Sequence, residues 1–228
     1  SFDRQHTTDS ITNDAGELPT TLINDSGEAG IITTGEKHSF SIPGSHPRDS
    51  LTLGQGALFD LPHAFSLEAW FRPLPAAPGS YAMIVGKRYS NQYQLTWTSN
   101  GDGTIEFYVG GGDLVAHRNW ASHVPTGHWL HIVAAYDAGV AEGPNQWLYL
   151  NGECVHETRN EVVLPHDQEA LRIGQNTLLN LPGGVPAAWK EVAIYDQALP
   201  ATEVRAAYQA KAPNGRIPPG TMWSVPLT

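Results

Sequence analysis

Three features of this 228-residue chain predict an all-β fold, two antiparallel sheets packed as a sandwich with one short helix close to the C-terminal end. Runs of β-branched and aromatic residues recur with period-2 alternation, which sends successive side chains to opposite faces of a strand. The 23 glycines and 17 prolines punctuate those runs at short intervals, as turns between many short strands require. Helical periodicity is almost absent, which leaves a two-sheet sandwich as the expected layering.

Strands are predicted near residues 38–42, 50–53, 65–72, 81–86, 93–98, 104–109, 114–117, 129–136, 146–150, 153–158, 170–173 and 191–195. In the third of these, Phe65, Leu67, Ala69 and Phe71 share one face and Ser66, Glu68 and Trp70 the other, the pattern of a half-buried strand with Trp70 on its partly polar side. The run at 129–136 is apolar on both faces, Leu130, Ile132 and Tyr136 opposite Trp129, Val133 and Ala135, which places it centrally in its sheet. Asn151-Gly152 separates two strands by the two residues of a type I′ hairpin, whose central positions both need positive φ. The segment from Asn100 to Gly103 joins two more strands in the same manner.

Residues 199–210 carry the one helical pattern, with Pro200 suited to a first turn and Val204, Ala207 and Tyr208 on one side. No Ser, Thr, Asp or Asn stands immediately before Pro200, so the helix is expected to rely on tertiary packing. By composition, residues 1–37 form a polar N-terminal arm, 38–210 the sandwich, and 211–228 a Pro-rich tail. Such an arm either wraps its own sandwich or pairs with another chain, in a homo-oligomer or larger assembly.

A chain of this length buries roughly 70% or more of its unfolded surface and needs no disulfide or metal staple. Cys154 is the only cysteine, which rules out an intramolecular disulfide, and it is expected to be a buried, inert thiol. The formal charge of −10, from 23 acidic and 13 basic residues, opposes binding to nucleic acid or anionic membrane surfaces. No apolar run approaches the 18 residues of a spanning helix, and residues 1–10 lack the basic and apolar regions of a signal peptide.

Five segments in fixed order carry a family resemblance: Phe65-Ser-Leu-Glu-Ala-Trp70, Trp129-Leu-His-Ile-Val-Ala-Ala-Tyr-Asp137, Leu148-Tyr-Leu-Asn-Gly152, Leu171-Arg-Ile-Gly174, and Lys190-Glu-Val-Ala-Ile-Tyr-Asp-Gln-Ala-Leu199 followed by Glu203-Val204. Over about residues 57–208 the chain resembles the laminin G-like branch of the concanavalin A-like superfamily. The resemblance implies a jelly-roll arrangement of the sandwich and a role in recognising glycans or proteins. The family often has an aspartate just before the glutamate of the closing segment, where this chain has Lys190, and an ammonium there opposes a calcium site built on that aspartate.

Catalytic constellations are missing. Glycan cleavage needs two converging carboxylates, and the alternating glutamates and aspartate of β-glucanases of this fold do not occur; neither do the motifs of its alginate lyases. Glu153, Glu157 and Glu161 recur every fourth residue and read as solvated surface. His128 and His131, three apart on a strand, face opposite ways and cannot share a metal. Asn100, Asp102 and Thr104 alternate like the start of a calcium loop without its closing glutamate, and a plain turn is the better reading.

Aromatic residues near the loops of the middle sheet are the remaining signal, because sugars stack C–H faces on rings while short polar groups bond the hydroxyls. Tyr89, Asn91, Tyr93, Trp97, Asp102 and Trp120 are the candidate ligand-binding residues, with core packing the competing role for Tyr93 and Trp97. The expectation is a non-enzymatic recognition or adhesion module, without cofactor or metal, binding glycan or protein extracellularly or on a virion surface. A structural or accessory component of a virion or tail-like assembly is the alternative, and a glycan hydrolase or lyase is disfavoured by the absent acid pair.

Overall fold

The computed structural model describes residues 20–23, 30–34, 37–42, 49–54, 59–76, 81–87, 92–99, 103–110, 118–122, 126–174, 186–210 and 221–226. Its elements are β1 (Thr20–Ile23), β2 (Gly30–Thr34), β3 (Lys37–Ile42), β4 (Ser50–Leu53), β5 (Ala64–Pro73), β6 (Tyr81–Gly86), β7 (Tyr93–Thr98), β8 (Thr104–Val109), β9 (Arg118–Ser122), β10 (Leu130–Asp137), β11 (Gln146–Leu150), β12 (Glu153–Thr158), β13 (Leu171–Gly174), β14 (Ala187–Tyr195), α1 (Ala201–Gln209) and β15 (Thr221–Pro226).

The strands make two antiparallel sheets. A seven-stranded front sheet runs β1-β4-β13-β6-β7-β8-β9, and an eight-stranded back sheet runs β12-β11-β10-β5-β14-β3-β2, with β15 also on β14. Strand β14 pairs along one edge with β5 and shares its other edge between β3, over Ala187 to Trp189, and β15, over Glu191 to Tyr195. Parts of the compositional arm and tail thus belong to the sandwich: β1 pairs with β4, β2 with β3, and β15 with β14.

Alternation builds the core between the sheets. Phe65, Leu67, Ala69 and Phe71 point inward from β5, against Tyr93, Leu95 and Trp97 of β7 and Ile105, Phe107 and Val109 of β8. The Phe65 ring lies 4.5 Å from Tyr93 and 5.6 Å from Tyr136 between centroids, contacts worth about 0.5–1.5 kcal/mol each beyond their buried area. Buried N–H donors bridge the layers: Gln146 Nε2 donates to Phe107 O at 3.0 Å, and the Trp189 indole Nε1 donates to Ile84 O at 3.2 Å.

Helix α1 crosses the other side of the back sheet and closes a second apolar cluster of Val133, Ala135, Tyr149, Ala193, Tyr195, Leu199 and Val204. It has no side-chain N-cap; the Pro200 carbonyl accepts from the Glu203 and Val204 amides, and fully buried Val204 anchors the helix. The hairpin turn between β11 and β12 has φ 51° at Asn151 and 83° at Gly152, the positive values its sequence requires.

One expectation is corrected and another lies outside the described residues. Cys154 is exposed, because β12 is an edge strand with little over it, and burial of its stem followed by the Glu157 charge raises its thiol pKa. The strand expected at 114–117 lies outside the described residues, and the strand beside β8 is Arg118–Ser122.

Candidate functional site

The side of the front sheet turned away from the core is polar. On β7, Tyr93, Leu95 and Trp97 join the core cluster, so the alternate residues Gln94, Thr96 and Thr98 face outward; on β8 the same logic turns Thr104, Glu106 and Tyr108 outward. Pairing aligns these residues into rows. One row runs Thr52, Arg172, Gly86, Gln94, Tyr108 across β4, β13, β6, β7 and β8, with Arg118 of β9 next in register. A second runs Gly174, Met83, Thr96, Glu106, with Trp120 next in register.

This face is closed at its centre, where Met83, Gln94 and Thr96 are fully buried, and partly open on either side, at Thr52 and Arg172 and at Thr104, Glu106 and Tyr108. Tyr108 Oη donates to Glu106 Oε2 at 2.5 Å, and Thr96 Oγ1 donates to Glu106 O at 3.3 Å. On the other side, Arg172 Nε and Thr52 Oγ1 are shut from solvent and have no hydrogen-bond partner among the described residues. Directly opposed residues of an antiparallel pair have Cβ atoms about 4.5–5.5 Å apart, so these two unfilled groups are neighbours. Gly86 stands beside them because a Cβ there would lie 2.6 Å from that of Gln94. Gln94 and the β7 backbone occupy the space that a side chain at Gly86 would need.

The structure divides the residues singled out by sequence. Tyr93 and Trp97 are 0% and 1% exposed and point into the core, where the Tyr93 hydroxyl donates to Phe59 O at 2.8 Å. Their rings offer no face to a surface ligand, because strand alternation assigns them to the same side as Leu95. Trp120 belongs to β9 at the register position of Glu106. Tyr89, Asn91 and Asp102 lie outside the described residues. Arg172, Thr52, Gln94, Glu106 and Tyr108 were not singled out, although the alternation of polar residues on β7 and β8 is the signal that finds most of them.

A second polar cluster lies beneath α1. Glu68 Oε1 is 2.7 Å from His131 Nε2, and Tyr195 Oη donates to Glu68 Oε2 at 2.5 Å. The His131 ring lies 5.1 Å from Trp70 and 6.0 Å from Tyr208 of α1. His131 and Glu68 are 0% and 5% exposed, so this glutamate–histidine–tyrosine set is sealed from substrate by the helix. Beside it, burial and then the Glu68 carboxylate push the Glu191 carboxyl up to about 7. Among the described residues no three His, Cys, Asp or Glu side chains converge as metal ligands, and no helix is long and apolar enough to cross a membrane.

No curated protein matches this chain. Solved structures that share its fold include the binding domain of botulinum neurotoxin DC in complex with SialylT, at TM-score 0.67, 11% identity, and coverage of 92% of this chain and 51% of that one. The same domain in complex with rat synaptotagmin II matches at TM-score 0.63 and 10% identity, covering 86% of this chain and 48% of the other. The serotype D ligand-binding domain in complex with N-acetylneuraminic acid matches at TM-score 0.56 and 13% identity, covering 86% and 46%. The chain therefore spans about half the length of these binding-domain structures, and at such identities the likeness is one of fold. A laminin G profile, described as concanavalin A-like lectin/glucanases superfamily, matches residues 44–205, and with the two-sheet topology this establishes that the chain belongs to that superfamily.

Proposed function

We propose that this protein is a non-catalytic recognition module of an exterior surface that binds a saccharide on the outer side of its front sheet, at the Arg172–Thr52 end. The observation that carries the reading is the Arg172 Nε donor beside the Thr52 Oγ1, both without a hydrogen-bond partner among the described residues, on two residues that are themselves only partly buried. A sugar hydroxyl donates and accepts at once, so hydroxyls on adjacent carbons satisfy both groups, with Gln94 along the same row. Tyr89, Asn91, Asp102 and Trp120 are retained, from the sequence alone, as the proposed stacking and polar groups. Structural neighbours with saccharide or protein ligands favour a binding role over a catalytic one. Pairing of β1 and β2 within the chain weakens the motive for an assembly through residues 1–37.

The test is a saccharide array followed by calorimetry on hits with the wild type, Arg172→Gln and Thr52→Val. Retained melting temperature with at least tenfold weaker binding in Arg172→Gln is expected, one lost charge-assisted bond costing about 1.5–3 kcal/mol. Saccharide affinity identical in all three proteins, or no saccharide bound by the wild type, overturns the reading.

A further inference from the structure

The front sheet holds a cation without a counter-charge. Lys87 is held between Asp60 and Asp167, Arg159 meets Glu161, Arg205 meets Glu153, and Arg72 lies over the Trp129 ring. Arg172 has neither an acid nor a ring beside it among the described residues, and its Nε has no hydrogen-bond partner there. A partly buried charge left in this way costs stability, and a bound anion offsets that cost.

Strand alternation and register explain why no acid reaches it. Leu171 and Ile173 belong to the core, so Arg172 faces outward from β13. Thr52 and Gly86 stand across the ladders from it, Ala170 and Gly174 lie along its own chain, and Ser50 and Met83 are diagonal to it. None of these is a carboxylate. Among the described residues that face outward on this sheet the acid is Glu106, which accepts from the Tyr108 hydroxyl. Its strand, β8, is three ladder steps from β13, about 14 Å at a spacing of about 4.8 Å per strand. That separation exceeds the Debye length of about 8 Å at physiological salt, so Glu106 does not cancel the field of the guanidinium, although the chain as a whole carries −10.

We infer that the saccharide bound at the Arg172–Thr52 end is an acidic one, whose carboxylate or sulfate group is taken by the Arg172 guanidinium. This rests on the reading of the front sheet as a saccharide site and narrows that site to one class of ligand. Nε is shut from solvent while Arg172 as a residue is partly exposed, so the terminal Nη nitrogens, further out along the side chain, are the donors that the oxyanion meets. Two N–H groups of one planar guanidinium match two oxygens of a carboxylate or sulfate, a geometry that no single sugar hydroxyl reproduces. The charge is thereby paired, and Nε and the Thr52 hydroxyl are left to the sugar ring.

The experiment titrates the whole chain by calorimetry with a glucuronate-containing disaccharide, its neutral counterpart with glucose in place of glucuronate, a sulfated disaccharide, inorganic sulfate and a hexaglutamate peptide, in the wild type, Arg172→Gln and Arg172→Lys. At least one acidic disaccharide is expected to bind about tenfold or more tightly than the neutral one, and this preference should vanish in Arg172→Gln at a retained melting temperature. Arg172→Lys keeps the charge without the planar fork, so its affinity for the acidic disaccharide should fall several-fold while the preference over the neutral one remains. If Arg172→Gln does not fold, Arg172→Lys decides, and acidic-disaccharide affinity equal to that of the wild type then overturns the inference. An acidic preference that survives in folded Arg172→Gln, or binding of inorganic sulfate or hexaglutamate as tight as that of the acidic disaccharide, overturns it as well. Neutral and acidic disaccharides bound alike by the wild type and weakened alike in Arg172→Gln sink the ligand class and leave the front-sheet site standing, whereas absence of any saccharide binding sinks both.

Discussion

Glu191 leaves the β14 bulge on the side of Trp70, where burial and then Glu68 raise its carboxyl from an ordinary 4.5 to about 7. The folded state therefore holds this proton more tightly than the unfolded chain. Its contribution to stability is complete below about 4.5 and is lost as pH rises through about 7. At about 1.4 kcal/mol per unit the ceiling is about 3 kcal/mol, and partial exposure reduces this to about 1–2 kcal/mol. Glu191→Gln should accordingly gain about 1–2 kcal/mol over wild type at pH 8 and be nearly neutral at pH 5, as read by urea denaturation at both pH values. A gap of the same size at both would remove this account. At this scale the sequence was half legible: alternation alone puts Tyr93 and Trp97 with Leu95 and leaves Gln94 and Thr96 for the polar face. The unfilled state of Arg172 and Thr52 was not readable, because it depends on what three strands distant in sequence fail to supply across a ladder.

Among the elements, the strands with clear apolar alternation were found with their bounds, β4, β6, β7, β8, β11 and β12 among them. The missed strands β1, β2, β9 and β15 draw their pairing from backbone ladders at sheet margins, which polar sequences such as Arg-Asn-Trp-Ala-Ser make as well as apolar ones. Helix α1 was legible from Pro200 and the Val204, Ala207, Tyr208 face, but its role was not: it is the lid over the His131–Glu68 cluster, with Tyr208 stacked at 6.1 Å on Trp70. Since the helix lacks a side-chain cap, its stability comes from docking. Val204→Ala should cost about 1–3 kcal/mol in chemical denaturation, through lost burial and the cavity left among Val133, Tyr195 and Leu199. Saccharide affinity on the front sheet should stay within twofold of wild type, because α1 packs on the opposite layer. A large loss of that affinity would mean that the two sheets are not energetically separate.

Across the whole molecule the two layers are tied at Lys87, which follows β6 and is fully buried. Its Nζ is ion-paired with Asp60, on the connection that carries the chain from β4 in front to β5 behind, and at 2.8 Å with Asp167, on the connection from β12 behind to β13 in front. The Gln92 side chain donates to Pro165 O and Tyr93 to Phe59 O, so the same two crossings are also held by neutral bonds. Burial pushes the Asp60 carboxyl up, but the hydrogen bond and charge of Lys87, then Asp167 and His166, pull harder and leave it below 3.8. A depressed carboxyl contributes stability above its ordinary value and loses it as pH falls through the folded value, which sets an acid limb opposite in sign to the one Glu191 sets near 7. Removing the cation leaves two acids uncompensated, so Lys87→Met should cost about 3–5 kcal/mol at pH 6. Asp60→Asn should be less stable than wild type at pH 6, with the gap closing as pH drops below about 3.8, since the wild-type carboxyl is then neutral too. Melting curves from pH 2.5 to pH 6 read this directly: a gap that stays constant over that range would show that Asp60 acts through packing alone and that the crossings are not held by its charge.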